Sequence, residues 1–372
     1  MKKENLLLII SILLALFVLL FSIYSFVPKK HSVNETEQEI SKDITPTVTE
    51  EIETIPETTE PEIKKDLVHS AWIPAWDFDN GFKSLERYKE QISSVNPVLY
   101  GVNNDGTLLN RKPSEQSLNT FLTFCDVNGI EVLPTVGSYD YKIMGSVLSS
   151  EVYIDKQVAE IIKEIEKYDF DGIDIDFEKI KSTEKEGYLL FLKKLQKELH
   201  SKEKILSVTV TAKTRDGTID TLAVQDFKVI GELADQVKVM TYDYTLQTST
   251  IPGPIAPIDW IKEVITYASE YIPSEKISLG IHLYAYLWKG EKASALTYSS
   301  VQNLINNSKI PQEYKSDIAE GYSQYTCSDG ATCTLYFQNK QGVAERVALA
   351  KESNLLGVSY WRLGSELDLL DQ

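Results

Sequence analysis

Asp174, Asp176 and Glu178 stand two residues apart in the stretch DFDGIDIDFEKI, which runs from Asp169 to Ile180. Side chains alternate along an extended chain, so these three carboxyls share one face while Ile173, Ile175 and Phe177 share the other. Same-face neighbours lie about 7 Å apart, close enough for ionising all three to be costly in a low dielectric. At least one is therefore expected to keep a proton near neutrality, as a general acid must. Asp171, at the start of the run, is read as fixing geometry rather than performing chemistry. A solvated acidic strand is disfavoured by the isoleucines, which call for burial on the opposite face. A calcium loop would need Gly where Lys179 stands and a bidentate Glu where Lys185 stands. A divalent-metal site finds no histidine nearby, so neither metal nor cofactor is expected.

The elements that must hold such a strand are legible around it. From Leu67 onward, short apolar runs alternate with amphipathic stretches, the pattern of repeated β-α units and a parallel sheet. Eight strands are predicted, at VHSAWI, NPVLYGV, IEVLPTV, DGIDIDF, ILSVTVTA, QVKVMTY, ISLGIHLY and LGVSYW. Helical spacing of apolar residues fills the intervals, for example in FKSLERYKEQISSV, GYLLFLKKLQKELH and TLAVQDFKVIGELA. Eight strands with such crossovers favour an α/β fold of the (β/α)8 TIM-barrel type, spanning residues 67–372. In that fold the acids point inward and climb toward the carboxyl-terminal rim, where barrel sites lie.

One connection is too long for a simple crossover. Residues 289–341, between the seventh and eighth strands, contain a helical SSVQNLINN and are expected to form a small α+β insertion walling one side of the cleft. Within it, Cys327 and Cys333 flank SDGAT between strand-like runs, a spacing that lets a hairpin close with a disulfide. Cys125 reads as a small buried hydrophobe.

At the other end, a tail of residues 1–5 precedes an uncharged apolar run over residues 6–27, long enough to cross a bilayer as a helix. It is read as a transmembrane anchor, with a cleaved signal peptide as the alternative. Lys2 and Lys3 lie before it and Lys29 and Lys30 after it, so flanking charge does not orient it. Residues 28–66 are rich in Thr, Glu and Pro without an apolar face, which predicts a disordered linker. A disulfide beyond that linker suits an extracytoplasmic domain. The net charge of -17 argues against a nucleic-acid partner, since such surfaces concentrate Lys and Arg.

FDGIDIDFE resembles the D-G-x-D-x-D-x-E signature on the fourth strand of glycoside hydrolase family 18, the chitinase family. VMTYDY is similar to that family's sixth-strand motif and GVSYWRLG to its eighth-strand tryptophan, so the resemblance covers nearly all of residues 69–366. It implies hydrolysis of N-acetylglucosamine glycans with the substrate's own acetamido group as nucleophile. It also implies Glu178 as the acid that protonates the leaving oxygen and later activates water. Asp176 would orient the acetamido group and stabilise the oxazolinium ion, and Asp174 would share or relay the Asp176 proton. Tyr242 would hydrogen-bond the acetamido oxygen, Asp243 contact the sugar, Met240 pack nearby and Trp361 floor the reacting subsite. Trp76, Tyr100 and Tyr284 are candidates for stacking against sugars. VLPTVGS stands where typical chitinases carry S-x-G-G, and with YWRLGSE it looks more like the bacterial branch of spore-germination and cortical-fragment-lytic glycosidases. That branch points to peptidoglycan as substrate, with chitin or binding without turnover as the alternatives.

Overall fold

The computed structural model describes residues 66–218 and 220–371. The predicted span over residues 6–27 and nearly all of the predicted linker lie outside these. Among the described residues no helix is long and apolar enough to cross a membrane.

The first part of the chain lays down β1 (Val68–Pro74), β2 (Ser94–Val98), β3 (Tyr100–Val102), β4 (Leu108–Asn110), β5 (Glu131–Val132) and β6 (Thr135–Ser138). The second adds β7 (Gly172–Phe177), β8 (Ile205–Thr211), β9 (Gln236–Met240) and β10 (Ile277–His282). Parallel pairing runs β6-β7-β8-β9-β10, continues through β16 (Gly357–Trp361) to β1, and passes on to β2 and β5. β3 in turn pairs with β6. Because β2 and β3 are one stave interrupted at Leu99, and β5 and β6 another interrupted before Thr135, the ring closes with eight staves. All eight predicted strands are found, in an α/β fold of the TIM type.

Two side-chain populations divide the barrel wall. Outward residues such as Ile173, Ile175, Val208 and Leu279 are fully buried under the helices; Phe177 stacks on Phe191 of the helix Lys185–His200 with ring centroids 5.4 Å apart. Inward residues are polar: Ser70, Asn96, Thr135, Asp174, Ser207, Lys238, Ser278 and Ser359 all lie at 3% exposure or less. The barrel's lower interior is thus a hydrogen-bonded plug, illustrated by Ser359 Oγ lying 2.6 Å from Ser70 Oγ and 2.7 Å from Ser278 Oγ. Gly172 opens β7 because a Cβ there would sit 2.2 Å from the Ile205 carbonyl on β8, too close for any other residue.

The helices follow the spacing with two differences. TLAVQDFKVIGELA is not one helix but two, Asp220–Val224 and Phe227–Leu233. The break is made by polar side chains bonding the backbone: Asp226 caps the second helix, and Gln225 turns inward to accept from the Thr211 amide at 2.8 Å. A short helix, Tyr141–Leu148, had no strong periodic signal; Asp140 caps it by accepting from the Lys142 and Ile143 amides.

The insertion is larger than its sequence suggested. It begins at β11 (Tyr284–Lys289), one residue after β10, and continues through β12 (Lys292–Thr297), the helix Tyr298–Ser308, β13 (Glu313–Lys315), β14 (Glu320–Thr326) and β15 (Thr332–Phe337). These strands form a five-stranded antiparallel sheet in the order β12-β11-β15-β14-β13. Cys327 and Cys333 are bridged, with Cα atoms 5.8 Å apart across the β14-β15 turn. Cys125 is buried in the main core.

Candidate active site

A cavity of about 610 Å³ opens at the carboxyl-terminal rim, lined by Asp176 and Glu178 from β7, by Met240, Tyr242 and Asp243 at the end of β9, and by Trp361 from β16. Trp76 and Tyr284 also face it. β11 and β12 supply Tyr286, Ala295 and Leu296, so the insertion walls one side of the cleft. Among the described residues no group of three or more His, Cys, Asp or Glu is arranged to hold a metal ion.

The three acids of β7 have different surroundings. Asp174, deepest, is fully buried and accepts from Trp72 Nε1 at 3.3 Å, Thr135 Oγ1 at 2.9 Å, Ser207 Oγ at 2.7 Å and Thr209 Oγ1 at 3.1 Å. The Lys238 ammonium completes its shell at 3.6 Å. The Asp174 charge also acts on Asp176, the next acid along the same face of β7.

Among the described residues Asp176 has one hydrogen-bond partner, the Tyr139 hydroxyl, which donates to Oδ2 at 2.9 Å; Oδ1 is buried with none. Burial, then the Glu178 and Asp174 charges, hold Asp176 well above the usual carboxylate range, against the opposing pull of the Tyr139 hydrogen bond. Glu178 is also raised, first by burial and then by the Asp243 charge, with Lys179 opposing. Both upper acids are therefore shifted toward the protonated form that proton donation requires. Tyr242, enclosed in the same acidic surroundings, is raised well above an ordinary phenol and stays a hydrogen-bond donor.

Local backbone chemistry explains the placement. Tyr139 follows β6 directly, and a Cβ on Gly137 would come within 2.7 Å of its hydroxyl, so glycine leaves the room the ring needs to reach Asp176. Asp243 takes a left-handed conformation with φ of 59°, tolerable for Asp, and its Oδ1 accepts from the Tyr284 and Tyr286 hydroxyls of β11. Trp361 lies edge-on to Trp72 and Trp76, at centroid distances of 5.9 and 6.5 Å. Asp171 sits below the cavity, where Oδ2 accepts from the Val132 amide at 2.7 Å and ties neighbouring staves together.

Tyr100 is a correction. It does not face the cleft but is buried outside the barrel, donating to Glu164 Oε2 at 2.8 Å on the helix Glu151–Tyr168. The interruption at Leu99 resets the in-and-out alternation, so a count carried across it points Tyr100 the wrong way. Tyr139, Trp72, Tyr286 and Lys238 were not singled out in the sequence. Tyr139 carried a faint signal, standing at the end of a predicted strand; the others depend on packing between distant elements.

Similarity to known proteins agrees with this geometry. The cortical fragment-lytic enzyme of Bacillus anthracis is 27% identical over 73% of this chain and 66% of its own length. That of Bacillus cereus is 28% identical over 61% of this chain and 54% of its own length. The chain thus spans less than two thirds of these relatives, and the expected kinship with the cortical-fragment-lytic branch is borne out. The chitinase of Chromobacterium violaceum superimposes with a TM-score of 0.74 at 25% identity, covering 81% of this chain and 95% of that one. The Bacillus cereus spore cortex-lytic enzyme SleL shares the fold with a TM-score of 0.74 at 23% identity, over 81% of this chain and 72% of its own. The model of the glycosyl hydrolases family 18 matches residues 61–366, and the chain belongs to that family.

Proposed function

We propose that this chain is a retaining glycosidase that cleaves β-linked N-acetylglucosamine glycans in peptidoglycan by a substrate-assisted mechanism. The observation that carries the proposal is the pair Asp176 and Glu178: both are biased toward the protonated form, and both line an aromatic-walled cavity at the barrel rim. Glu178 delivers its proton to the leaving oxygen and then activates water. With the proton on Glu178, the unpartnered Oδ1 of the Asp176 carboxylate is available to accept from the acetamido N–H, orienting that group for attack and offsetting the oxazolinium charge. The Tyr242 hydroxyl donates to the acetamido oxygen, and Trp361 supplies the floor on which the reacting sugar stacks. Peptidoglycan is favoured over chitin by the kinship with cortical fragment-lytic enzymes. Chitin is the second reading, favoured by coverage of 95% of the Chromobacterium violaceum chitinase.

The proposal extends to location: residues 6–27 anchor the chain in a bacterial membrane, and residues 28–66 tether the catalytic unit outside it. Recovery of the chain from cells in a salt- and alkali-soluble fraction would count against the anchor.

Function is tested by incubating the purified chain with peptidoglycan, spore cortex and chitin oligomers, beside Glu178→Gln, and identifying new reducing ends by mass spectrometry. Release from wall glycan, reduced about 10²- to 10⁴-fold or more in the variant, is expected. Parent-rate hydrolysis by Glu178→Gln refutes the assignment of the acid, release from chitin alone moves the substrate to the second reading, and binding without cleavage identifies a sugar-binding protein.

A further inference from the structure

Lys238 is the one lysine of β9, flanked by Val237 and Val239, and points into the barrel rather than away from it. It has 0% exposure. Its ammonium donates to Ser207 Oγ, lies 3.5 Å from Gln236 Oε1 and faces Asp174 Oδ1 at 3.6 Å. Ser207 accepts from Lys238 and donates to Asp174, so a single hydroxyl couples cation to anion. Nothing in binding a sugar requires a cation here, because Lys238 lies beneath the cavity and does not line it. Keeping an ammonium in a closed barrel is costly unless an anion compensates it, and Asp174 is the anion in contact.

We propose that Lys238 is a positioning residue: its charge fixes Asp174 as an acceptor-only carboxylate on the barrel floor and thereby confines the mobile proton to Asp176 and Glu178. This rests on the glycosidase reading above. The groups facing this network are few. From β7 come Asp174, Asp176 and Glu178, with Lys179 beside the last. Tyr139 follows β6, Tyr242 and Asp243 follow β9, Tyr188 reaches Asp174 and Asp176 from the helix Lys185–His200, and Glu131 on β5 acts on Lys238. On balance burial lowers the Lys238 ammonium, and the Asp174 charge is the largest influence opposing it.

Removing a cation raises the proton affinity of every nearby carboxyl. In Lys238→Met, both limbs of the kcat/KM profile should move to higher pH, by on the order of one pH unit, because the Asp174 charge that acts on Asp176 is no longer offset and Asp176 and Glu178 act on each other. Ser207→Ala keeps the cation but deletes the coupling hydroxyl, and should move the limbs the same way by less. Limbs that stay in place while kcat falls would overturn the proposal, since a packing defect lowers rate without shifting titration. A second readout needs no turnover. Without Lys238, the native state should hold a proton on Asp174 that the unfolded chain releases, so stability falls as pH rises. The gap in thermal midpoint between parent and Lys238→Met should therefore widen from pH 5 to pH 8; a constant gap also overturns the proposal. If Lys238→Met does not fold, Ser207→Ala carries both readouts. A parent that cuts no glycan would refute the functional reading, while the thermal series still decides the role of Lys238.

Discussion

Two buried acids, Glu320 at the seam between insertion and barrel and Asp176 in the cavity, are treated in opposite ways. Glu320 is fully enclosed and fully used: it accepts from the Ile255 and Ala256 amides and faces Arg346, 3.7 Å away and equally buried. Arg346 in turn donates to the Ala319, Gly342 and Ala256 carbonyls, so the pair stitches three chain segments together. Asp176 is enclosed but left short, with one hydroxyl donor and one idle oxygen. Burial raises both acids, and only the seam supplies a cation in contact. A structural acid is recognised by satisfaction, and an acid meant for a substrate by the partner it still lacks.

The comparison can be broken most sharply at the seam. Arg346→Met should cost about 3–5 kcal/mol of stability by stranding Glu320. Glu320 is pushed up to about 7, so below that pH it takes a proton in the folded state and the loss should shrink. Urea unfolding at pH 5.5 and pH 8 checks this, and an equal loss at both would show that the charge pair is not what matters. Activity per folded molecule should change little.

A smaller effect, in the opposite quantity, is expected at the cavity. Tyr139→Phe should lower kcat about tenfold, the equivalent of one hydrogen bond to a charged group, with stability nearly unchanged. The lost donor was holding Asp176 down, so the alkaline limb of the rate profile should move to higher pH. If stability falls and the limb stays fixed, Asp176 belongs with Glu320 after all. The mildest change is Trp76→Ala: its ring is 68% exposed, and losing it should raise KM for long oligosaccharides about three- to tenfold while leaving kcat and the shortest substrates alone.

How much of this was legible follows from the same contrast. The eight staves and the inward acids could be read because apolar alternation is local, and D-G-x-D-x-D-x-E compresses a face of the site into one strand. Lys238 could not: a lysine between two valines reads as a half-exposed strand, and only ring closure puts that face inside. The interruption at Leu99 misdirected Tyr100 for a related reason, since periodicity holds only while the strand is unbroken. The five-stranded insertion sheet was hidden by β12 and β13, whose short, largely exposed sequences lack alternation. The disulfide hairpin could be read from spacing because both partners lie within one turn.

The attachment of that sheet has a consequence for how the protein can vary. β11 leaves the barrel after the single residue Leu283, and its two tyrosines fasten to Asp243, so the insertion strand that lines the cavity is pinned beside the β7 acids. The strands farther along, β13 and β14, lie outside the cavity lining. Lineages could therefore lengthen, shorten or recode that outer edge to suit differently decorated glycans, as a tool holder accepts new jaws, while the reacting groups keep their registration.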